Sequence, residues 1–247
     1  MDALVRSGEI AQRLIDEAAW RVLKLKNDLG LFEDPYRGTD AEKFRACALE
    51  NRALAEQAAA ETFVLLKNED RLLPLGAQKV AFIGPYAESR ALHGAWSFFC
   101  READTVSIRQ GVEALGKTAA FCKGAPLLAP GATIPGFSTD YAEAETEQTQ
   151  TALLLEAIRA ASAAETVVLC LGEQRLQSGE GGSRAEPTLP EPQMQLLRAV
   201  RDVNPNIVLI LFAGRPLLLR DVLPLCKSLL YVWFPGSMGG AAIAEVL

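Results

Sequence analysis

The sequence is poor in the residues from which most metal centres and catalytic triads are built. Its 247 residues include one histidine, His93, and five cysteines. The cysteines are widely spread and form no C-x-x-C pair, which argues against a disulfide framework or a zinc site. A single histidine rules out a His-rich metal site, and a Ser-His-Asp or Cys-His mechanism would have to use His93. We therefore expect no bound metal.

Basic residues are also in the minority, with 25 Lys and Arg against 31 Asp and Glu, for a formal charge of −6. Binding to nucleic acid or to an anionic membrane needs clustered Lys and Arg, so neither partner is expected. No apolar run approaches the roughly 18 residues of a membrane helix. Residues 1–6 lack the apolar core and cleavage site of a signal peptide. These features predict a cytoplasmic location, unless a leader has been removed.

What the sequence does contain is an alternation of short apolar runs with helical patterns. The runs are continuously rich in Val, Ile, Leu and Phe, which predicts strands buried on both faces. The β-α-β-α order predicts an α/β fold with a largely parallel, doubly wound sheet, that is, an α/β sandwich. We expect strands at 80–83, 119–122, 166–171, 207–212 and 229–234, and helices at 108–115, 149–163, 191–203, 217–223 and 239–247.

The first sixty residues read as two helices and a linker. Apolar residues at three- and four-residue steps predict an amphipathic helix over 10–29, which ends at Gly30. A capping box at Thr39 and Glu42 predicts the start of a second helix that continues to about Glu61. We divide the chain into residues 1–38 and a domain of residues 39–247. Within that domain, clustered Pro and Gly predict a long loop over 123–140.

Ligands of such sheets bind beyond the carboxyl ends of the strands, and the loop after 166–171 carries two carboxylates there. Glu173 and Glu180 are seven residues apart, Glu180 lies between glycines, and Arg175 and Arg184 are near enough in sequence to tune the charge. The same composition also suits a solvated polar connection. The spacing does not choose between Glu173 and Glu180.

Aromatic residues offer a second candidate. Trp96 lies in the loop 92–99, where its face could stack on a sugar ring, although a tryptophan in an apolar stretch also suits a core position. Trp20 and Trp233 are predicted core residues. The Gly and Pro residues after the strands suit ordinary strand-to-helix turns. None spells G-x-G-x-x-G or a P-loop, so a nucleotide-binding domain is disfavoured and we expect no cofactor.

Several motifs in order along the chain resemble glycoside hydrolase family 3, which includes many bacterial β-glucosidases and β-xylosidases. They are Gly30-Leu31-Phe32-Glu33-Asp34-Pro35-Tyr36, Val64-Leu65-Leu66-Lys67-Asn68, Phe82-Ile83-Gly84-Pro85, His93-Gly94-Ala95-Trp96, Gly172-Glu173, Glu180-Gly181-Gly182-Ser183-Arg184, Leu189-Pro190-Glu191-Pro192-Gln193, Gly214-Arg215-Pro216 and Trp233-Phe234-Pro235-Gly236-Ser237-Met238-Gly239-Gly240.

The resemblance implies a two-part architecture, in which a (β/α)8-type barrel precedes an (α/β)6 sandwich and the sugar binds where the two meet. By this resemblance, residues 1–38 are the last barrel helix with its linker, and residues 39–247 are the sandwich, truncated at its C-terminal end. Such a chain is either an excised piece or a split or truncated gene product, and the sequence leaves both open. An exposed barrel-facing surface would also favour self-association.

The resemblance also implies roles for individual residues. A retaining glycosidase needs two carboxyl groups about 5–5.5 Å apart. In the family the nucleophile is an Asp on a barrel strand, which this chain lacks, and the acid/base maps onto Glu180. Trp96 maps onto an aromatic residue that in some members lines the leaving-group subsite. We further expect Arg184 and Glu173 at the substrate site, with Glu173 held by neighbouring backbone groups.

Two functions from different classes follow. The first is a fragment of a retaining, exo-acting β-glycosidase that supplies the acid/base toward a β-linked oligosaccharide or glycoside and is inactive without its barrel. The alternative is a non-catalytic carbohydrate-binding or assembly module derived from that family. The sugar stays open between glucose, xylose and N-acetylglucosamine. The last is least favoured, because a subgroup of such enzymes takes its acid/base from a barrel loop.

Overall fold

The computed structural model describes residues 1–98, 100–129, 132, 134 and 147–247. The predicted loop 123–140 and the aromatic loop 92–99 therefore lie partly outside the described residues. The chain forms two compact units, Met1–Asn51 and Arg52–Leu247. The sequence predicts a domain boundary between residues 38 and 39. In the structure, the segment 39–51, which follows that boundary, is part of the first compact unit.

The first unit contains α1 (Asp2–Arg6), α2 (Gln12–Asp28) and α3 (Ala41–Glu50). The predicted helix 10–29 is found as α2, none of whose residues is buried. Its apolar stripe is exposed, and Trp20 is 59% exposed, so the predicted core position of Trp20 is not found in this chain. An apolar stripe of this kind normally faces a core.

The start of α3 differs from the predicted capping box. Asp40 is the N-cap, and its carboxylate accepts hydrogen bonds from the backbone N–H groups of Glu42 and Lys43. The Thr39 hydroxyl instead donates to the carbonyl oxygen of Tyr36. The predicted single helix over 39–61 is also wrong, because it is interrupted at Asn51, whose side-chain amide donates to the last-turn carbonyl of Cys47.

The second unit is built on one six-stranded sheet in the order β1-β6-β5-β4-β2-β3. Strands β2 to β6 are parallel, and β1 pairs antiparallel with β6 at the edge. This confirms the predicted α/β fold with a largely parallel sheet. The strands are β1 (Val64–Asn68), β2 (Val80–Ile83), β3 (Ala120–Cys122), β4 (Thr166–Gly172), β5 (Ile207–Phe212) and β6 (Ser228–Tyr231).

Helices cover both faces of this sheet, which explains the continuous apolar runs. Along β4, Val167 and Leu169 join one buried cluster, with residues of α6 and α7, whereas Val168 and Cys170 join the other, with residues of α5 and α8. Successive side chains of a strand point to opposite faces, so every residue of β4 must be apolar or small. The helices of the unit are α4 (Arg52–Thr62), α5 (Ile108–Ala114), α6 (Glu147–Ser162), α7 (Glu191–Val203) and α8 (Gly239–Val246).

Two local predictions in this unit need correction, and one strand was missed. The predicted helix 217–223 does not form; only a 3₁₀ turn, Leu223–Leu225, is present, and the flanking Pro216 and Pro224 restrict the residues before them. The last strand ends at Tyr231 rather than at residue 234, and Trp233 has φ +58° and is only partly buried. The antiparallel strand β1 was not predicted.

Gly84 directly follows β2, at a point where no side chain fits. Its φ is +134°, and a methyl group there would overlap the carbonyl oxygen of Cys170. Gly84→Ala should therefore lower the free energy of unfolding by more than the roughly 1–3 kcal/mol of the backbone strain alone. Gly116→Ala is the matched control, because Gly116 has φ +68° with no atom within 4 Å of such a methyl group. Equal losses in urea unfolding would contradict the predicted overlap.

The described residues also bear on membrane and metal partners. None of the helices there is both long and apolar enough to cross a membrane. The same residues include no group of three or more His, Cys, Asp and Glu side chains placed to hold a metal ion.

Candidate active site

Glu173 follows β4 directly, and both of its main-chain polar groups are hydrogen-bonded. Its N–H donates to the carbonyl oxygen of Phe212 over 2.8 Å. Its own carbonyl oxygen accepts from the hydroxyl of Tyr86 over 2.5 Å. The residue has 0% relative exposure. The start of the loop after β4 is therefore fixed at the carboxyl edge of the sheet.

The Glu173 carboxylate is paired with two arginines, each through one oxygen. Arg184 Nη1 lies 2.7 Å from Oε1 and Arg215 Nε lies 3.2 Å from Oε2. A buried carboxylate needs such partners, because an unpaired charge is costly to bury. The prediction that backbone groups hold this side chain is wrong, since arginine side chains do so. Arg184 Nη2 also donates to the carbonyl oxygen of Thr188, over 3.0 Å.

Sequence reasoning missed Arg215. Its motif, Gly214-Arg215-Pro216, follows the fourth predicted strand, where Gly and Pro also suit an ordinary turn. The available signal was an arginine at the carboxyl end of the strand next to the one that carries Glu173, since parallel neighbours present their ends at the same edge. The strand order that makes β4 and β5 neighbours is known only from the structure.

Glu180 has the opposite environment to Glu173. It is exposed and lies at the tip of a turn between Gly179, with φ +101°, and Gly181, with φ +74°. The Gly182 N–H closes this turn on the Gly179 carbonyl oxygen over 3.1 Å. Within the described part of the chain, the Glu180 carboxylate makes no hydrogen bond or ion pair. It is therefore free to meet a ligand.

Trp96 lies beside this turn. A methyl group on Gly179 would be 3.5 Å from Trp96 Nε1 and 3.0 Å from the Cβ atom of Ala95. Trp96 is 60% exposed and meets Phe98, itself 67% exposed, edge to face at 5.9 Å. The structure thus brings Trp96 next to the Glu180 turn, although the two are far apart in sequence. Both Trp96 and Glu180 are exposed, so an apolar ring and a carboxylate are presented by neighbouring loops.

The only histidine has a structural contact. His93 Nε2 is 2.9 Å from the hydroxyl oxygen of Thr105. Burial, and then the nearby Arg175 guanidinium, lowers the pKa of His93 below its usual value. The ring is therefore neutral at pH 7. Arg175 itself donates to the Cys100 sulfur.

The fold and the site define a doubly wound α/β domain that carries an exposed carboxylate and exposed aromatic side chains beyond the carboxyl ends of its strands. Residues 63–247 match the glycosyl hydrolase family 3 C-terminal domain. The chain therefore belongs to glycoside hydrolase family 3, as the motifs predicted.

Relatives cover the chain nearly end to end. It is 34% identical over 259 residues to the periplasmic beta-glucosidase of Salmonella typhimurium, covering 100% of this chain and 34% of that protein. It is 30% identical to a beta-xylosidase of Formosa agariphila, covering 95% of this chain and 31% of that protein. The crystal structure of beta-glucosidase from Listeria innocua in complex with isofagomine matches with a TM-score of 0.78 and 35% identity, covering 100% of this chain and 32% of that one.

These relatives are about three times as long as the chain, which spans 31% to 34% of their length. The name of the Salmonella relative places that protein in the periplasm, whereas the sequence predicted a cytoplasmic location for this one.

Proposed function

We propose that the chain supplies the general acid/base, Glu180, and part of the leaving-group subsite of a retaining, exo-acting β-glycosidase. The observation that carries the proposal is an exposed, unpaired carboxylate on a glycine-flanked turn beside the exposed ring of Trp96. In the proposed role, this carboxylate would protonate the glycosidic oxygen of a sugar stacked on the ring.

A second carboxylate is needed for retention of configuration, and Glu173 does not suit that role. A nucleophile must lie about 5–5.5 Å from the acid/base and contact the anomeric carbon. Glu173 is fully buried and bonded to two arginines. We therefore assign the nucleophile to an Asp of a separate barrel, as the family resemblance implies. For the same reason we assign Glu173 and Arg184 to support of the loop rather than to the predicted contact with substrate.

The barrel would also supply a charge that the general acid needs. A general acid must be protonated near neutral pH, and a like charge nearby raises the pKa of a carboxyl group. The nucleophilic Asp would supply that charge in the assembled enzyme. In this chain Glu180 is exposed to water. The acid function would therefore arise only on assembly.

The first unit supports the need for a barrel. Helix α2 has no buried residue, and its exposed apolar side chains would be covered by a barrel in an intact enzyme. We assign residues 1–38 to the last barrel helix and its linker. Alternatively, a second copy of the chain would cover the exposed apolar face of α2, and the chain would then sediment as a dimer.

The names of the relatives support a β-linked glucoside or xyloside as substrate. Those above are a β-glucosidase and a β-xylosidase, and the Listeria enzyme has also been solved in complex with glucose. By the family resemblance, a barrel would supply most contacts to the non-reducing sugar. The chain itself would contribute the acid/base and contacts to the leaving group.

The test is an assay of the purified chain on aryl β-glucosides and aryl β-xylosides, with and without a separately produced barrel domain of the Salmonella relative. Alone, the chain should not exceed background, because one carboxylate cannot complete a double displacement. Activity should appear when the barrel is added. Clear turnover by the chain alone would mean that a carboxylate within it is the nucleophile. Sugar binding without turnover in both arms would favour the non-catalytic module.

A further inference from the structure

We propose that Arg215 is a positioning residue for the Glu180 turn, an inference that rests on the proposed function. One nitrogen of its guanidinium, Nη2, donates to the carbonyl oxygens of both Gln177 and Gly182, the latter over 2.6 Å. These two carbonyl groups lie on either side of Glu180. Arg215 therefore joins the two ends of the turn that presents the carboxylate.

Arg215 is itself held at three points. Its Nε is paired with the buried Glu173 carboxylate. Its carbonyl oxygen accepts from the Tyr231 hydroxyl over 2.5 Å. The preceding Gly214 packs so closely that a methyl group there would overlap the hydroxyl oxygen of Ser178. The position of Arg215 is thus set by contacts at the ends of β4 and β6 and by the loop that carries Glu180.

The first half of the loop is anchored independently. Leu176 is buried in a small apolar cluster with Leu128 and Ile134. No such anchor is found among the described residues from Gly179 to Gly181, all of which are exposed. The flanking glycines leave the backbone there broad conformational freedom. Besides the Gly182 N–H bond that closes the turn, the Arg215 contacts are therefore what restrict it.

This restriction matters for acid catalysis. A displacement of about 1 Å at a catalytic group can cost about 10²-fold in rate. Lysine cannot replace the guanidinium, because a single ammonium cannot span the carboxylate and both carbonyl groups in the same planar arrangement. Arg215→Lys should keep the charge beside Glu173 but release the turn.

The first experiment uses the 247-residue chain and does not depend on activity. Hydrogen exchange of the Gly182 amide, which closes the turn, should be faster by roughly tenfold in Arg215→Lys. The matched control is Lys67→Gln. Lys67 also donates to two carbonyl oxygens, those of Leu223 and Cys226 at 2.8 and 2.7 Å, but at the amino end of β6. Gly182 exchange should be unchanged in this control.

A milder variant covers the case in which Arg215→Lys does not fold. Tyr231→Phe removes one hydrogen bond to the Arg215 carbonyl group and keeps the guanidinium. It should accelerate the same exchange severalfold. Unchanged Gly182 exchange in the folded Arg215 variant, or in Tyr231→Phe if the former does not fold, would overturn the proposal.

The second experiment uses the chain assembled with a barrel. Arg215→Lys should lower kcat/KM by about 10²-fold for a methyl β-glycoside and have little effect on a dinitrophenyl β-glycoside, whose leaving group needs no acid. A purely structural role would lower both rates equally and would overturn the positioning role. An assembly that is inactive with the wild-type chain would count against the proposed function, whereas the exchange result would still decide whether Arg215 restrains the turn.

Discussion

Replacing Glu180 with alanine in the barrel-assembled enzyme should lower kcat/KM for glycosides with poor leaving groups by about 10²–10⁴-fold. The physical reason is that such leaving groups depart only with a proton from the general acid. Glu180 is the exposed carboxylate that the glycine-flanked turn presents beside Trp96. The measurement is the rate of hydrolysis of a series of aryl and alkyl β-glycosides.

Azide distinguishes this role from general damage. An azide ion attacks the glycosyl-enzyme intermediate without a general base, so it should restore turnover of an activated aryl glycoside in Glu180→Ala and release a glycosyl azide. Glu186→Ala is the matched control, because Glu186 is another exposed carboxylate of the same loop. If Glu173→Ala shows the rescue and Glu180→Ala stays active, the assignment is wrong.

Replacing Glu173 with alanine should instead lower the free energy of unfolding by about 3–5 kcal/mol, because it leaves two arginines near the core without their buried counter-ion. Arg184 and Arg215 each contact one oxygen of that carboxylate, and their side chains are only 25% and 21% exposed. Urea unfolding of the 247-residue chain, followed by tryptophan fluorescence, measures the loss.

Two further variants define the origin of that loss. Glu173→Gln keeps the volume and one acceptor oxygen but removes the charge, so its stability should lie between those of wild type and Glu173→Ala. Glu180→Ala should change stability by no more than about 0.5 kcal/mol, as expected for an exposed side chain. A loss in Glu173→Ala as small as that in Glu180→Ala would show that the ion pairs contribute little.

The sequence by itself determined the class of fold and most of the elements of the sheet. The continuous apolar runs of β4 and β5 can be recognised as strands in the sequence. Both faces of a central strand are buried, so every residue, and not only alternate ones, must be apolar or small. Helix α7 was predicted with the bounds that it has, Glu191–Val203, because an amphipathic pattern follows a proline-rich start. The family and the candidate Glu180 came from motifs that are contiguous in the chain.

Only the tertiary structure decided which groups each site residue meets. The edge strand β1 exists because β6 pairs with it, and its exposed apolar residues carry no pattern that distinguishes a strand from the end of a helix. Arg215 contacts Glu173 and the ends of the Glu180 turn because β4 and β5 are neighbours in the sheet. Trp96, in the loop after β2, lies beside Gly179. Ion-pair and packing partners are non-local, whereas patterns of polarity along a chain report only local structure and burial.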